Sequence, residues 1–126
     1  MKHAALLAVT GTLAAAGCGD GDDRPSREEA RRCLEGLDLH VVPWERPPND
    51  DVGPYAMLDA NDLLRGRVRV EAQYYDDADE AERYVPAQRR FARNHDGAVE
   101  RHGTLTLFWL DGHRGRFAER TRDCLR

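Results

Sequence analysis

Apolar positions recur along this chain in two rhythms, and the switches between them mark out its elements. Ala30, Cys33, Leu34 and Leu37 fall at i, i+3, i+4 and i+7, the stripe of an amphipathic helix. Ser26-Arg27-Glu28-Glu29 precedes the stripe as a capping box: Ser26 takes first-turn amides and Glu29 reaches back to the Ser26 amide. Gly36 is the expected stop. Leu39-His40-Val41-Val42 then predicts a short strand ended by Pro43. Trp44 to Pro54 has no rhythm; its prolines and Asn49-Asp50-Asp51 predict a long surface loop. Tyr55-Ala56-Met57-Leu58 predicts a brief second strand, and Asp59-Ala60-Asn61-Asp62 a turn.

The clearest alternation lies further on. Val68, Val70, Ala72 and Tyr74 take one side; Arg67, Arg69, Glu71, Gln73 and Tyr75 take the other. That is a strand with one buried and one wet face. Asp76 to Glu82 opens a helix with Asp77 or Asp79 as its cap. Ala81, Tyr84, Val85, Phe91 and Ala92 form its core stripe, Gly97 ends it, and Pro86 is expected to kink or split it by removing the amide bond to Glu82. Val99 to Leu110 predicts the last strand, with Leu105, Leu107 and Trp109 inward and Thr104, Thr106 and Phe108 outward. After a turn at Asp111-Gly112, a closing helix carries Phe117, Thr121, Cys124 and Leu125 on one side. The order α-β-(β)-β-α-β-α predicts an α+β fold over residues 26–126. The expected form is a two-layer α/β sandwich, a small mixed sheet with helices on one face and the other partly open. Segment 67–110 reads as a strand-helix-strand unit with a right-handed crossover.

The first residues follow a different pattern. Lys2 and His3 precede Ala4 to Ala16, thirteen residues without charge. A bilayer span needs about 20 apolar residues, so this run fits the core of a signal peptide instead. Its small residues, Leu13-Ala14-Ala15-Ala16-Gly17, lead straight into Cys18, and Gly19-Asp20-Gly21-Asp22-Asp23-Arg24-Pro25 follows. This stretch resembles the lipobox of bacterial lipoprotein signal peptides, although Ala15 stands where that family usually carries Leu. The resemblance implies acylation of Cys18, removal of residues 1–17, and an acidic tether over 18–25. It implies attachment to the outer face of a cell membrane through the lipid on Cys18. Lys2 is the only lysine of the chain, and Arg without Lys suggests a GC-rich genome; signal and tether together resemble small exported lipoproteins of GC-rich bacteria.

In an exported domain, the two remaining cysteines, Cys33 and Cys124, read as a disulfide, and each falls on a predicted apolar stripe. The chain has 19 Lys+Arg against 23 Asp+Glu, a net charge of −4. That balance argues against nucleic-acid binding and against a basic patch gripping anionic headgroups. His40, His95, His102 and His113 do not pair at metal-ligand spacing, and there is no CxxC, so no metal or cofactor is expected. Ser26 is the only serine, and neither a Gly-x-Ser-x-Gly motif nor a Gly-rich phosphate loop occurs. Asp76, Asp77, Asp79, Glu80 and Glu82 cluster where a helix start favours acid. The expected function is a non-catalytic binding or interaction module of the cell envelope. Its partner surface would be the wet sheet face with Arg67, Arg69, Tyr75 and Phe108, joined by Trp44. Two alternatives stand beside it: a small envelope hydrolase using carboxylates such as Asp76 or Asp77, and a small-ligand carrier with a cavity behind Trp109 and Tyr74.

Overall fold

Ser26 caps the first helix. Its Oγ accepts from the Glu29 amide at 3.1 Å and donates to the Glu29 carboxylate at 3.0 Å, so Glu29 reaches the Ser26 hydroxyl where the capping box expects the Ser26 amide. From this start the computed structural model, which describes residues 23–126, runs α1 (Arg27–Gly36), β1 (His40–Glu45), β2 (Ala56–Asn61), β3 (Arg69–Tyr74), α2 (Ala78–Asn94), β4 (Ala98–His102), β5 (Leu105–Asp111) and α3 (Arg116–Leu125). Cys18 and the segment 1–17 lie outside the described residues, as does the tether up to Asp22. Arg24, at the tether's end, bonds to the main body: it donates to the His102 carbonyl at 3.0 Å and to Thr104 Oγ1 at 3.4 Å.

The fold is α+β, with five strands in the order β1-β2-β3-β5-β4. Every neighbouring pair is antiparallel, where a mixed sheet is expected from the sequence. The reason lies at Gly103. Its φ of +65° turns the chain, so the run Val99–Leu110, which reads as one strand, folds into the hairpin β4–β5. The strand-helix-strand unit survives: β3 and β4 run the same way, but β5 lies between them and pairs with both.

Two further boundaries move. β1 continues through Pro43 because it is an edge strand. Arg46 donates its amide to the Tyr55 carbonyl at 2.9 Å, so alternation turns position 43 away from the sheet, where a missing N–H is harmless. β2 absorbs Asp59-Ala60-Asn61, and the turn falls after it, built on buried Asp62. Asp62 accepts from the amides of Arg65 (3.1 Å) and Arg67 (3.2 Å) and from Arg67 Nε (2.5 Å). The Arg67 guanidinium holds the Asp62 carboxyl below its ordinary range. Gly112 closes the next turn: a Cβ there would stand 1.9 Å from the Arg67 carbonyl oxygen.

The inward residues of β2, β3 and β5 (Leu58, Val70, Ala72, Leu107 and Trp109 among them) form one core with Ala30 and Leu34 of α1 and Ala118 and Leu125 of α3. Cys33 and Cys124 form a disulfide with a Cα–Cα distance of 5.5 Å, which clips α1 to α3. Cys124 is buried as expected, whereas Cys33 is exposed, at the margin of its stripe. Beneath α3, Arg122 joins Glu100 (2.7 Å), Glu119 (2.6 Å) and the His113 carbonyl (2.5 Å). Glu100 also accepts from Trp109 Nε1 at 2.8 Å, and the Arg122 guanidinium sits 4.6 Å from the Trp109 ring centre.

α2 takes the opposite face, so the helices do not share one side. Gln88 bonds Gln73 at 2.6 Å, Tyr84 stacks on Tyr75 at 5.8 Å, and Phe91 meets Phe108 at 5.8 Å. Gln73, Tyr75 and Phe108 alternate with the core residues and point away from them. Aromatic rings on that face offer area worth covering, and Tyr84, Gln88 and Phe91 at i, i+4 and i+7 of α2 cover it. α2 also stays one helix through Pro86, because Pro86 and Glu82 are both exposed and water can satisfy the freed Glu82 carbonyl.

Candidate functional site

α2 packs against β4 and β5, at the opposite side of the sheet from β1. The outer side chains of β1 are therefore left in solvent, with Val42 48% and Trp44 39% exposed. Cross-strand register places two rows here. One reads Val42, Asp59, Glu71, Phe108; the other reads Trp44, Met57, Gln73, Thr106. Strands stand about 4.8 Å apart, so Val42 lies roughly 10 Å from Glu71. α2 is the wall of this shelf. A cavity of about 340 Å³ opens along its foot, lined by Glu71, Phe108 and Leu110 of the sheet and Ala87, Gln88 and Phe91 of the helix. Phe91 is 46% exposed, and its ring lies 4.2 Å from that of His95.

The charge on the shelf is unbalanced. Asp62 donates its amide to the Val68 carbonyl, so even-numbered residues of β2 bond across to β3. Asp59 and Glu71 are consequently a non-hydrogen-bonded pair, the closer kind, with side chains on the same face. Like charges directly opposite one another destabilise a sheet. Among the described residues neither carboxylate enters an ion pair. Glu71 accepts from Gln73 Nε2 at 2.8 Å. Asp59 Oδ1 and Gln88 Oε1 are buried with no partner among the described residues. Glu71 is held from beneath, because the Tyr75 hydroxyl donates to Gln73 Oε1 at 2.9 Å and Gln73 in turn donates to Glu71. Burial pushes the Tyr75 hydroxyl up to about 12, so it remains a donor at neutral pH. Carboxylates and orphaned acceptors beside Trp44, Phe91 and Phe108 suit a group that brings both positive charge and apolar surface.

The residues singled out from sequence separate. Trp44 lies on the shelf, Phe108 is half-buried in its floor, and Arg69 is exposed at its end, registered with Asn61. Tyr75 is 3% exposed under α2 and therefore offers no partner surface. Arg67 belongs elsewhere: besides its pairing with Asp62, its guanidinium lies 3.6 Å from the Phe117 ring centre, against α3. Val42, Asp59, Glu71 and Phe91 were not anticipated as site residues. Their signals were the alternation of His40, Val42 and Trp44 across Pro43, and the second stripe of α2. Asp76 and Asp77 are engaged at the surface, Asp76 with Arg46 at 3.3 Å and Asp77 as the α2 cap accepting from Glu80 N at 2.7 Å. Glu80 takes the Gly53 amide at 2.9 Å, and Glu82 pairs with Arg101. These roles remove the motive for a hydrolase built on Asp76 or Asp77. Arg122 and Glu100 pack against Trp109, on the Trp109 side of the cavity that a carrier would need. In comparisons with protein-family models, with curated proteins and with solved structures, the chain matches none.

Proposed function

We propose that this chain is a lipoprotein of the cell envelope, anchored through Cys18, whose domain binds a partner segment on the shelf between β1 and α2. The segment it suits carries a Lys or Arg among apolar residues. One observation carries the reading. Among the described residues Asp59 and Glu71 face each other without a counter-cation, beside the exposed Val42 and Trp44. Such a pair weakens the sheet, by up to about 1 kcal/mol, and a bound cation would offset the repulsion. The aromatic side chains supply the kind of anchor that dominates interfaces, and the carboxylates supply the selectivity.

Fluorescence tests the shelf, because Trp44 is exposed while Trp109 is fully buried. Short peptides alternating Leu with Lys are expected to shift the Trp44 emission, and Leu-Glu peptides are not. Asp59→Asn with Glu71→Gln should abolish the response and at the same time raise the melting temperature. Equal responses to the two peptides, or an unchanged response in the double variant, would refute the shelf. The anchor is tested separately by the intact mass of the protein from its own membranes. A chain beginning at Cys18 and carrying acyl groups is expected; an unmodified N-terminus would overturn that part alone.

A further inference from the structure

A second unsatisfied place lies at the other end of the sheet, where the described chain begins. Arg24, Ser26, Arg27, Tyr55, Tyr74 and Thr104 line a cleft of about 230 Å³. Tyr74 is only 4% exposed, and among the described residues its buried hydroxyl has no hydrogen-bond partner. Two guanidiniums, those of Arg24 and Arg27, line the same cleft. Arg24 uses one N–H on the His102 carbonyl and one on Thr104 Oγ1, and among the described residues it meets no carboxylate. A guanidinium has five N–H donors, so three remain. Arg27 is held by the Tyr55 ring, 5.5 Å from its centre, and by a loose contact with exposed Glu45 at 3.6 Å. The cleft also meets the start of α1. There Ser26 claims the amides of Glu29 and Ala30, while those of Arg27 and Glu28 remain at the positive end of the helix.

Two guanidiniums, a buried hydroxyl and helix-terminal amides outnumber the lone pairs that a carboxylate can present, and they match a tetrahedral oxyanion. We propose that this cleft is a phosphate site. The chain's net charge of −4 argues against an anion-binding role only on average; locally, Arg24 and Arg27 line one cleft with the Tyr74 hydroxyl. Two sources of phosphate fit: a soluble phosphate compound and the headgroup of an anionic phospholipid. The headgroup alternative rests on anchoring through Cys18. Cys18 stands five residues before Asp23, so a lipid there keeps the cleft within roughly 20 Å of the bilayer. The phosphate site itself does not depend on the anchor.

The test uses the full chain with Cys18→Ala, which carries no acyl group. Inorganic phosphate is titrated by calorimetry and by thermal melting, against sodium chloride at equal ionic strength. Saturable binding with one phosphate per chain is expected, with a rise in melting temperature that chloride does not reproduce. Arg24→Gln should weaken binding roughly tenfold or more, as expected for loss of a charge-assisted bond. Tyr74→Phe removes only the orphaned hydroxyl. It should leave the phosphate-free melting temperature unchanged or higher, yet weaken phosphate severalfold. Phosphate behaving like chloride, or binding both variants as it binds the parent, overturns the proposal. Flotation with phosphatidylglycerol and phosphatidylcholine vesicles then separates the sources. Retention on phosphatidylglycerol that phosphate competes and Tyr74→Phe abolishes assigns the headgroup. Phosphate binding with vesicle retention indifferent to Tyr74→Phe assigns a soluble ligand.

Discussion

Replacing Arg122 by Met tests how the β4 edge is fixed to α3. The Arg122 side chain is 8% exposed and that of Glu100 is 25% exposed. Without Arg122, Glu100 keeps one donor, Trp109 Nε1, and its charge stays largely out of water. The His113 carbonyl and Glu119 each lose a partner, and the Trp109 ring loses its cation. Breaking a buried pair from one side costs about 3–5 kcal/mol. Glu100 retains some solvent, so about 2–4 kcal/mol is expected here. For a domain of this size that corresponds to a fall in melting temperature of roughly 10–25 °C. The diagnostic variant is the double one, Glu100→Gln with Arg122→Met. Gln still accepts from Trp109 but leaves no unpaired charge, so the double variant should be more stable than Arg122→Met alone by about 1–2 kcal/mol. Urea denaturation followed by circular dichroism and by Trp109 emission measures both. The reasoning fails if Arg122→Met lies within about 0.5 kcal/mol of the parent, the range of ordinary surface changes. It fails equally if the second substitution deepens the loss.

Two further outcomes follow from the same contacts. Reducing Cys33–Cys124 opens a loop with a sequence separation of 91, worth about 4–5 kcal/mol on the chain-entropy model. The urea midpoint should fall accordingly, while the native Trp44 emission stays put, since the bridge joins α1 to α3 on the far face; a midpoint unmoved by reduction would refute the first half. Tyr75 titrates at about 12 in the folded chain against about 10 unfolded, so its contribution is complete below pH 10 and is lost as pH rises from 10 to 12. That rise corresponds to about 2–3 kcal/mol, and melting temperatures recorded from pH 9 to 12 should fall less steeply for Tyr75→Phe than for the parent.

What the sequence shows and what it conceals divide along one physical line. Alternation at Val68, Val70, Ala72 and Tyr74, the Ser26 cap, and the inward set Leu105, Leu107 and Trp109 are local properties, and each stands in the structure as expected. The sheet order is not local. A run such as Val99–Leu110 satisfies the strand pattern whether it is straight or folded at Gly103, and only pairing with β3 decides. That one fold puts β5 between β3 and β4 and makes every neighbouring pair antiparallel. α2 in turn sets the site, since the face it occupies decides which outward residues stay wet. Tyr75 and Trp44 look alike in the sequence, each an aromatic on a polar face, yet Tyr75 lies under α2 and Trp44 beyond its reach. The carboxylate pair is hidden for the same reason. Asp59 reads as a turn residue until β2 is extended past it, and Glu71 reads as one polar residue among several until register sets the two face to face. A like-charged pair at the centre of a sheet weakens the fold that contains it, so its presence argues for a ligand rather than for stability.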